Sequence, residues 1–268
     1  MKLISVKNAE YQIIQALKTN RVKRSQTHEV FVEGIESIKQ LLNTDIEITR
    51  VIIYDEKNLS DWGKNLVTKH KSKLINMSFD LYKELCDREE PSEVLVTAKI
   101  KPISLEDLSL PEKPFILIFD RPSDYGNFGS ILRSANSFNV DVILVIGHGI
   151  DVYDPKVIRS SLGGIFHAKI IQIESMKVLE NWIEIQKGKS HLQVIGTDST
   201  GSVSLSNTKL EKPIALVLGN EAKGMSVALK NLCDVIISIP ISGNVNSLNV
   251  ANAASIFMWE VYKNEMSL

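Results

Sequence analysis

Six short, nearly unbroken apolar runs in the second half of the chain constrain its fold more than any other feature: residues 115–119, 142–146, 170–173, 192–195, 214–218 and 235–241. Runs of this length are too short to be independent helices, and a strand that is apolar on both faces has to be covered on both faces. Separated by helical stretches, they predict a parallel sheet between layers of helices. Several of the runs end in glycine or a short polar turn, at Asp120, Gly147, Gly196 and Gly219. Ligands of open α/β sheets sit beyond the carboxyl ends of the strands, so these loops are where chemistry is expected.

The first half alternates differently. Tyr11, Ile13, Ile14 and Leu17 recur at helical spacing over residues 8–17, and a basic cluster, Lys18, Arg21, Lys23 and Arg24, follows where that helix should end. Strands are expected over 28–33, 51–54, 74–77 and 94–100, and helices after Gly34 and over 61–70 and 79–86. This pattern reads as a small α/β domain over 1–104, an ordered linker over 105–113 and a second domain over 114–268.

With 31 basic and 32 acidic residues the net charge is -1, which neither demands nor excludes a nucleic-acid partner. No apolar run approaches the roughly 20 residues of a membrane helix, and residues 1–10 hold no continuous apolar stretch of the secretory kind. A cytoplasmic protein without membrane contact is expected. Cys86 and Cys233 are too few for a disulfide framework and read as small core residues. The five histidines show no ligand spacing, so no metal is expected; His148, between Gly147 and Gly149 after a strand, is the one near the presumed site.

Three segments carry chemistry. The first, residues 120–135, leaves a strand and opens a helix with Asn127 and Arg133 at or near its start, where a planar guanidinium can reach a phosphate or carboxylate. Alone, it reads equally well as a glycine-bearing strand-to-helix turn. The second, residues 218–226, sets Gly219 where backbone can approach a ligand and Glu221 at the mouth of the sheet; a helix entry capped by Ser226 is its plain alternative. In the third, residues 239–251, a strand ends at Pro240 and a polar loop leads to Ser247 and Asn249 before a helix rich in alanine. Tight helix packing explains the alanines but not Ser247 and Asn249.

Taken together and in this order, the segments resemble the SPOUT class of RNA methyltransferases, in its SpoU or TrmH-like branch. The matching positions are Asn127, Gly129 and Arg133; Gly219, Glu221 and Gly224; and Ile239 and Pro240 followed by Ser247, Leu248, Asn249 and Val250. The first domain resembles more loosely a substrate-binding domain related to ribosomal proteins that hold kinked RNA, through the helix, the basic cluster and residues 31–34. Residues 123–125 and Leu162-Gly163-Gly164 depart from the usual pattern of relatives.

The resemblance implies a deep trefoil knot in the second domain, a homodimer formed through it, and transfer of methyl from S-adenosyl-L-methionine to a ribose 2'-hydroxyl, of ribosomal rather than transfer RNA. It implies cofactor contacts by Thr197, Asp198, Leu218, Gly219, Asn220, Glu221, Gly224, Ile239, Ile241, Ser247, Leu248 and Asn249. Asn127, Arg133, Glu221, Ser247 and Asn249 form the implied catalytic set, and Lys18, Arg21, Lys23 and Arg24 become candidate RNA contacts. A dinucleotide-dependent oxidoreductase would need a Gly-x-Gly-x-x-Gly turn after the first strand, which is missing. A catalytically inactive RNA-binding or ribosome-assembly protein of the same fold is the alternative.

Overall fold

The computed structural model describes residues 2–266; Met1, Ser267 and Leu268, at the ends of the expected domains, lie outside the described residues. The described residues form two compact units, one of residues up to Pro102 with Asp151–Phe166, the other of Ile103–Ile150 with the residues from His167 onward, so that the segment 151–166, expected in the second domain, belongs with the first.

The first unit contains β1 (Lys2–Ile4), α1 (Ala9–Thr19), α2 (Arg21–Thr27), β2 (Glu29–Glu33), α3 (Ile35–Leu42), β3 (Glu47–Ile53), α4 (Asp61–Lys69), β4 (Leu74–Met77), α5 (Phe79–Leu85) and β5 (Leu95–Lys99). Its sheet runs β1-β4-β3-β5-β2, parallel across the first three strands and antiparallel across the rest. Asn8 caps α1 by accepting from the Tyr11 amide, and the helix turns Tyr11, Ile14 and Leu17 into a core with Phe31, Ile52 and Tyr82. The basic cluster follows the end of α1 only in part, because Asn20 caps a second helix that carries Arg21, Lys23 and Arg24.

Residues of the later segment complete this unit. Asp154 caps α7 (Pro155–Ser160), with proline in the first helical turn where a missing N–H costs nothing. Buried Ser37 donates to the Ile158 carbonyl at 3.2 Å. Gly163 sits against α3 so closely that a Cβ would lie 2.7 Å from Gln40 Cβ, and its φ of +82° is one glycine adopts readily.

The same segment corrects the reading of the basic cluster. Arg24, expected on RNA, is buried: its Nε donates to Asp151 at 2.7 Å, Nη2 to Asp154 at 3.0 Å, and Nη1 to the Leu17 and Lys18 carbonyls. Lys18 is likewise engaged, with Asp87 at 2.8 Å and the Glu84 carbonyl. A desolvated guanidinium needs such partners, and its fork geometry meets four acceptors at once. Arg21 remains exposed and Lys23 half-buried.

The second unit contains β6 (Phe115–Asp120), α6 (Tyr125–Ser137), β7 (Val142–Ile146), β8 (Ile170–Ile173), α8 (Met176–Ser190), β9 (Gln193–Thr197), β10 (Val203–Ser204), β11 (Ile214–Leu218), α9 (Val227–Leu232), β12 (Val235–Ser238) and α10 (Val250–Met266). Its sheet is wholly parallel in the order β10-β12-β9-β11-β6-β7-β8, as the two-faced apolar runs require. β12 ends at Ser238, short of the expected 241, and residues 239–249 are free of regular structure. Ile103, Leu105, Leu108 and Leu110 pack against this unit's core, which is why the proline-bearing stretch is ordered. Phe128, Ile131, Leu132 and Ala135 turn α6 inward, leaving Ser130 and Arg133 outward; α10 packs beside it, with Ser134 and Ser255 hydroxyls 2.7 Å apart.

Candidate active site

Three loops at the carboxyl ends of β9, β11 and β12, all in the second unit, surround a cleft of about 270 Å³. Of the residues expected at the cofactor, every one except Asn249 lines it. Ser199, Met225, Val250, Ala253 and Phe257 line it too; Met225 and Val250 lie within the motif segments, but none of the five was expected at the cofactor. Met225 and Phe257 are buried apolar residues that the sequence cannot distinguish from ordinary core; they face the cleft only because α10 folds back beside β11.

Gly219 explains how backbone forms one wall. A Cβ there would lie 2.5 Å from the Met225 nitrogen, so only hydrogen fits where the 220–224 turn doubles back. That turn is closed by paired backbone bonds between Asn220 and Gly224, with Gly224 at φ +66°. The Asn220 side chain accepts from the Ala222 and Lys223 amides and donates to the Arg121 carbonyl at 2.6 Å. Opposite, burial works against ionisation of Asp198, but Lys230 at 2.8 Å and two bonds from Thr200 hold its carboxyl below the usual value. The cleft therefore combines apolar side chains, exposed backbone and one stable carboxylate, a donor and acceptor set suited to an adenosine with a charged tail.

Glu221 does not reach into open space. Its Oε2 accepts from the Ser123 amide at 3.0 Å and hydroxyl at 2.6 Å, and its Oε1 from the Asp124 amide at 3.1 Å. With both oxygens engaged it clips the loop before α6 to the cleft wall, and the departure at residues 123–125 supplies the hydroxyl it uses. Asp124 in turn caps α6 by accepting from the Asn127 amide at 2.7 Å. Glu221→Gln replaces an acceptor with a donor among N–H and O–H groups. Hydrogen bonds to charged groups contribute ~1.5–3 kcal/mol each. Amide exchange at Ser123 and Asp124 should therefore quicken by about tenfold or more; unchanged exchange would show that the clip is not holding the loop.

Beneath this loop, buried Asp120 accepts from the Ser226 amide at 2.8 Å and takes a two-pronged bond from Arg121 at 2.7 and 2.8 Å. Arg121 occupies the left-handed region at φ +47°, and Gly147 and Gly149 pack under its side chain and Pro122. His148 is exposed on that glycine turn and does not line the cleft.

Asn249 has a different place from the one expected. Its Oδ1 caps α10 through the Ala251 amide at 2.8 Å, while its Nδ2 donates to Asn127 Oδ1 at 2.9 Å. It thus ties the start of α10 to the first turn of α6 at the rim of the cleft. The Asn127 Nδ2 and the exposed Ser247 hydroxyl make no hydrogen bond among the described residues, and Ser247 lines the cleft. Arg133 is not brought to the cleft. It is exposed two turns into α6, beside a groove of about 290 Å³ shared with Ser130, Ser134, Ser137 and Phe138. Among the described residues no group of His, Cys, Asp and Glu could hold a metal ion, and no helix is long and apolar enough to cross a membrane.

Comparison with known proteins gives a consistent result. Residues 8–97 match the SpoU L30e-like domain. A 23S rRNA (uridine(2479)-2'-O)-methyltransferase of Streptomyces viridochromogenes is 34% identical over 98% of this chain and 93% of its own length. The 23S rRNA (guanosine(2553)-2'-O)-methyltransferase RlmP of Bacillus subtilis is 25% identical over 96% of this chain and 97% of its own. The crystal structure of the SpoU methyltransferase AviRb from Streptomyces viridochromogenes in complex with AdoMet superposes with a TM-score of 0.91 at 33% identity, covering 97% of this chain and 99% of that one. Residues 114–259 match the SpoU rRNA methylase family, and with the full-length similarity this shows that the chain belongs to that family.

Proposed function

We propose that this protein transfers the methyl group of S-adenosyl-L-methionine to a ribose 2'-hydroxyl of ribosomal RNA, in the cytoplasm and as a homodimer. The observation that carries the reading is the juxtaposition, in a SpoU-family chain, of the backbone-walled cleft with the Asn127–Asn249 pair at its rim. The cofactor's contribution when bound is a sulfonium-borne methyl, an electrophile that needs alignment more than activation.

The cleft residues would hold it: Leu218, Ile239, Ile241 and Leu248 against the adenine, and the turn at Gly219 through backbone groups. Asn127 and Ser247, with polar atoms uncommitted, would orient the ribose. With the cofactor bound, a ribose hydroxyl held in line with the methyl would become strongly acidic as it is alkylated, the C–S bond giving way to C–O. A weak acceptor therefore suffices for its proton. A guanidinium with a pKa above about 12 is no base. Arg133 instead holds the neighbouring phosphodiester, whose oxygen receives the proton and passes it to water.

We assign this role to the Arg133 of a second copy, since within one chain Arg133 is exposed and does not line the cleft. Supporting that arrangement, the outward face of α10 carries exposed Ile256 and Trp259, with Trp259 stacked among Phe138 and Tyr262. The loop beside it exposes Val245 and Leu248. We assign this face to the dimer and the threading of residues 239–266 to the family's knot. Trp259→Asp places a charge in that face and is expected to leave a folded monomer in sedimentation equilibrium; a persisting dimer would place the interface elsewhere. The function itself is tested by incubating the protein with labelled S-adenosyl-L-methionine and ribosomal RNA from a strain lacking it. Alkali-stable label in one large RNA is expected. Cofactor binding without label on any RNA would instead favour the inactive RNA-binding reading.

A further inference from the structure

We propose that the first unit contacts RNA through a lysine edge at one end of its sheet, formed by Lys69, Lys71 and Lys99 around Ser72 and Lys73, and not through the α1–α2 cluster. The inference rests on the ribosomal-RNA reading above and goes beyond it by naming the surface and what it takes, the phosphate backbone of the substrate RNA.

Elimination is the first step. The face built by α2, β2 and α3 is occupied by the chain's own residues of Asp151–Phe166. Arg24 is spent on Asp151 and Asp154, Ser37 on the Ile158 carbonyl, and Gly163 lies against α3. At the end of β2, Arg159 pairs with Glu33 at 3.3 Å and with Asp87 at 3.0 Å, and Lys18 takes the other side of Asp87. Lys18, Arg24 and Arg159 on this side already have internal carboxylates.

Strand directions gather a second set of cations at the opposite end. β1, β3 and β4 are parallel and β5 runs against β3, so the starts of the first three strands meet the end of β5. Lys2 begins β1, Lys71 and Lys73 lead into β4, and Lys99 ends β5 opposite Glu47. A groove of about 340 Å³ runs along this edge, lined by Lys2, Arg50, Ser72, Lys73 and Lys99 together with Glu10 and Glu29. Both acids are already engaged: Glu10 by Lys2 and Arg50, Glu29 by Arg50 and the Thr49 hydroxyl. Lys73 bonds the Ile48 carbonyl and reaches Glu47 at 3.2 Å.

Lys69, Lys71 and Lys99 are different. All three are exposed and have no carboxylate partner among the described residues. Lys69 also acts on the protein itself: after burial, first Lys73 and then Lys69 hold the His70 imidazole below its usual pKa. The nearby acids are committed elsewhere: Glu47 to Lys73, and Glu29, beside Lys99 in the sheet, to Arg50 and Thr49. Exposed lysines without a carboxylate partner, beside a polar groove, are the electrostatic footprint of a phosphate backbone.

The test compares the full-length protein with Lys69→Glu/Lys71→Glu, with Lys99→Gln and with Arg21→Glu/Lys23→Glu. Binding to protein-free 23S ribosomal RNA is measured across a potassium chloride series, and S-adenosyl-L-methionine affinity serves as the control for folding. The lysine-edge double variant is expected to lose roughly tenfold or more in affinity and about two units of salt slope, and Lys99→Gln about one unit, all with unchanged cofactor binding. The α2 variant should lose less. A lysine-edge variant that binds like wild type, or an α2 variant that carries the loss, overturns the inference. If the unaltered protein methylates ribosomal RNA in the same preparation, that result touches only the surface and leaves the function standing. Failure of the unaltered protein to bind the RNA at all would overturn both.

Discussion

Replacing Arg133 by alanine is expected to abolish measurable methyl transfer while leaving S-adenosyl-L-methionine affinity within about twofold. The two readouts separate because Arg133 does not line the cleft and its side chain is exposed on α6. Removing a preorganised donor aimed at transition-state charge costs roughly 10²–10³ in rate. Losing the orientation of the attacking ribose adds to that cost. Arg133→Lys keeps a point charge without the planar fork and should recover only a small part of the rate. The dimer reading makes a sharper prediction. Mixing Arg133→Ala with a variant whose cofactor cleft is blocked, Gly219→Val, should restore activity in heterodimers that pair one intact cleft with the other subunit's intact arginine. Single-turnover transfer to ribosomal RNA, with cofactor binding measured by calorimetry, checks all three. A near-normal rate in Arg133→Ala, or no complementation in the mixture, would remove Arg133 from the chemistry or from its place across the dimer.

Arg24→Met should be the most damaging single substitution for stability. It strips the counter-charge from Asp151 and Asp154, whose carboxylates are 12% and 18% exposed, and leaves two carbonyls without a donor. Breaking a buried pair by removing one partner costs about 3–5 kcal/mol, a large share of the 5–15 kcal/mol that holds a typical domain folded. The loss should appear as a lower midpoint in urea and as faster amide exchange in α7. Adding Asp151→Asn and Asp154→Asn to Arg24→Met should recover part of it, since asparagine at 154 can still cap the helix and no unpaired charge remains. A midpoint unchanged by Arg24→Met would return this residue to the exposed, RNA-facing role expected from the sequence.

That reversal illustrates where local reasoning stops. Four basic residues within seven positions form a credible phosphate-binding cluster, and nothing near them in sequence says otherwise. The carboxylates that claim Arg24 lie 127 and 130 residues away. Glu221 shows the same limit at the site. Its position after a buried strand was legible, but its partners Ser123 and Asp124 are supplied by another loop, and they make it a clip for that loop. Asn249 is similar, a helix cap by its own sequence and a bridge to Asn127 only through the packing of α10 beside α6.

What the sequence determined by itself was set by periodicity and by glycine. Apolar runs without alternation could be satisfied only by a sheet covered on both faces, and glycines at strand exits marked where backbone had to come close, as at Gly219. These are local constraints, expressed within a few residues. The tertiary structure alone decided which cations are spent on the protein and which are left for a partner, and which side chains at the cleft hold loops in place. It also directed Arg133 away from the cleft lined by its own chain's loops. Those outcomes depend on charges and hydrogen-bonding groups finding each other across about a hundred residues or more, which only the folded geometry specifies.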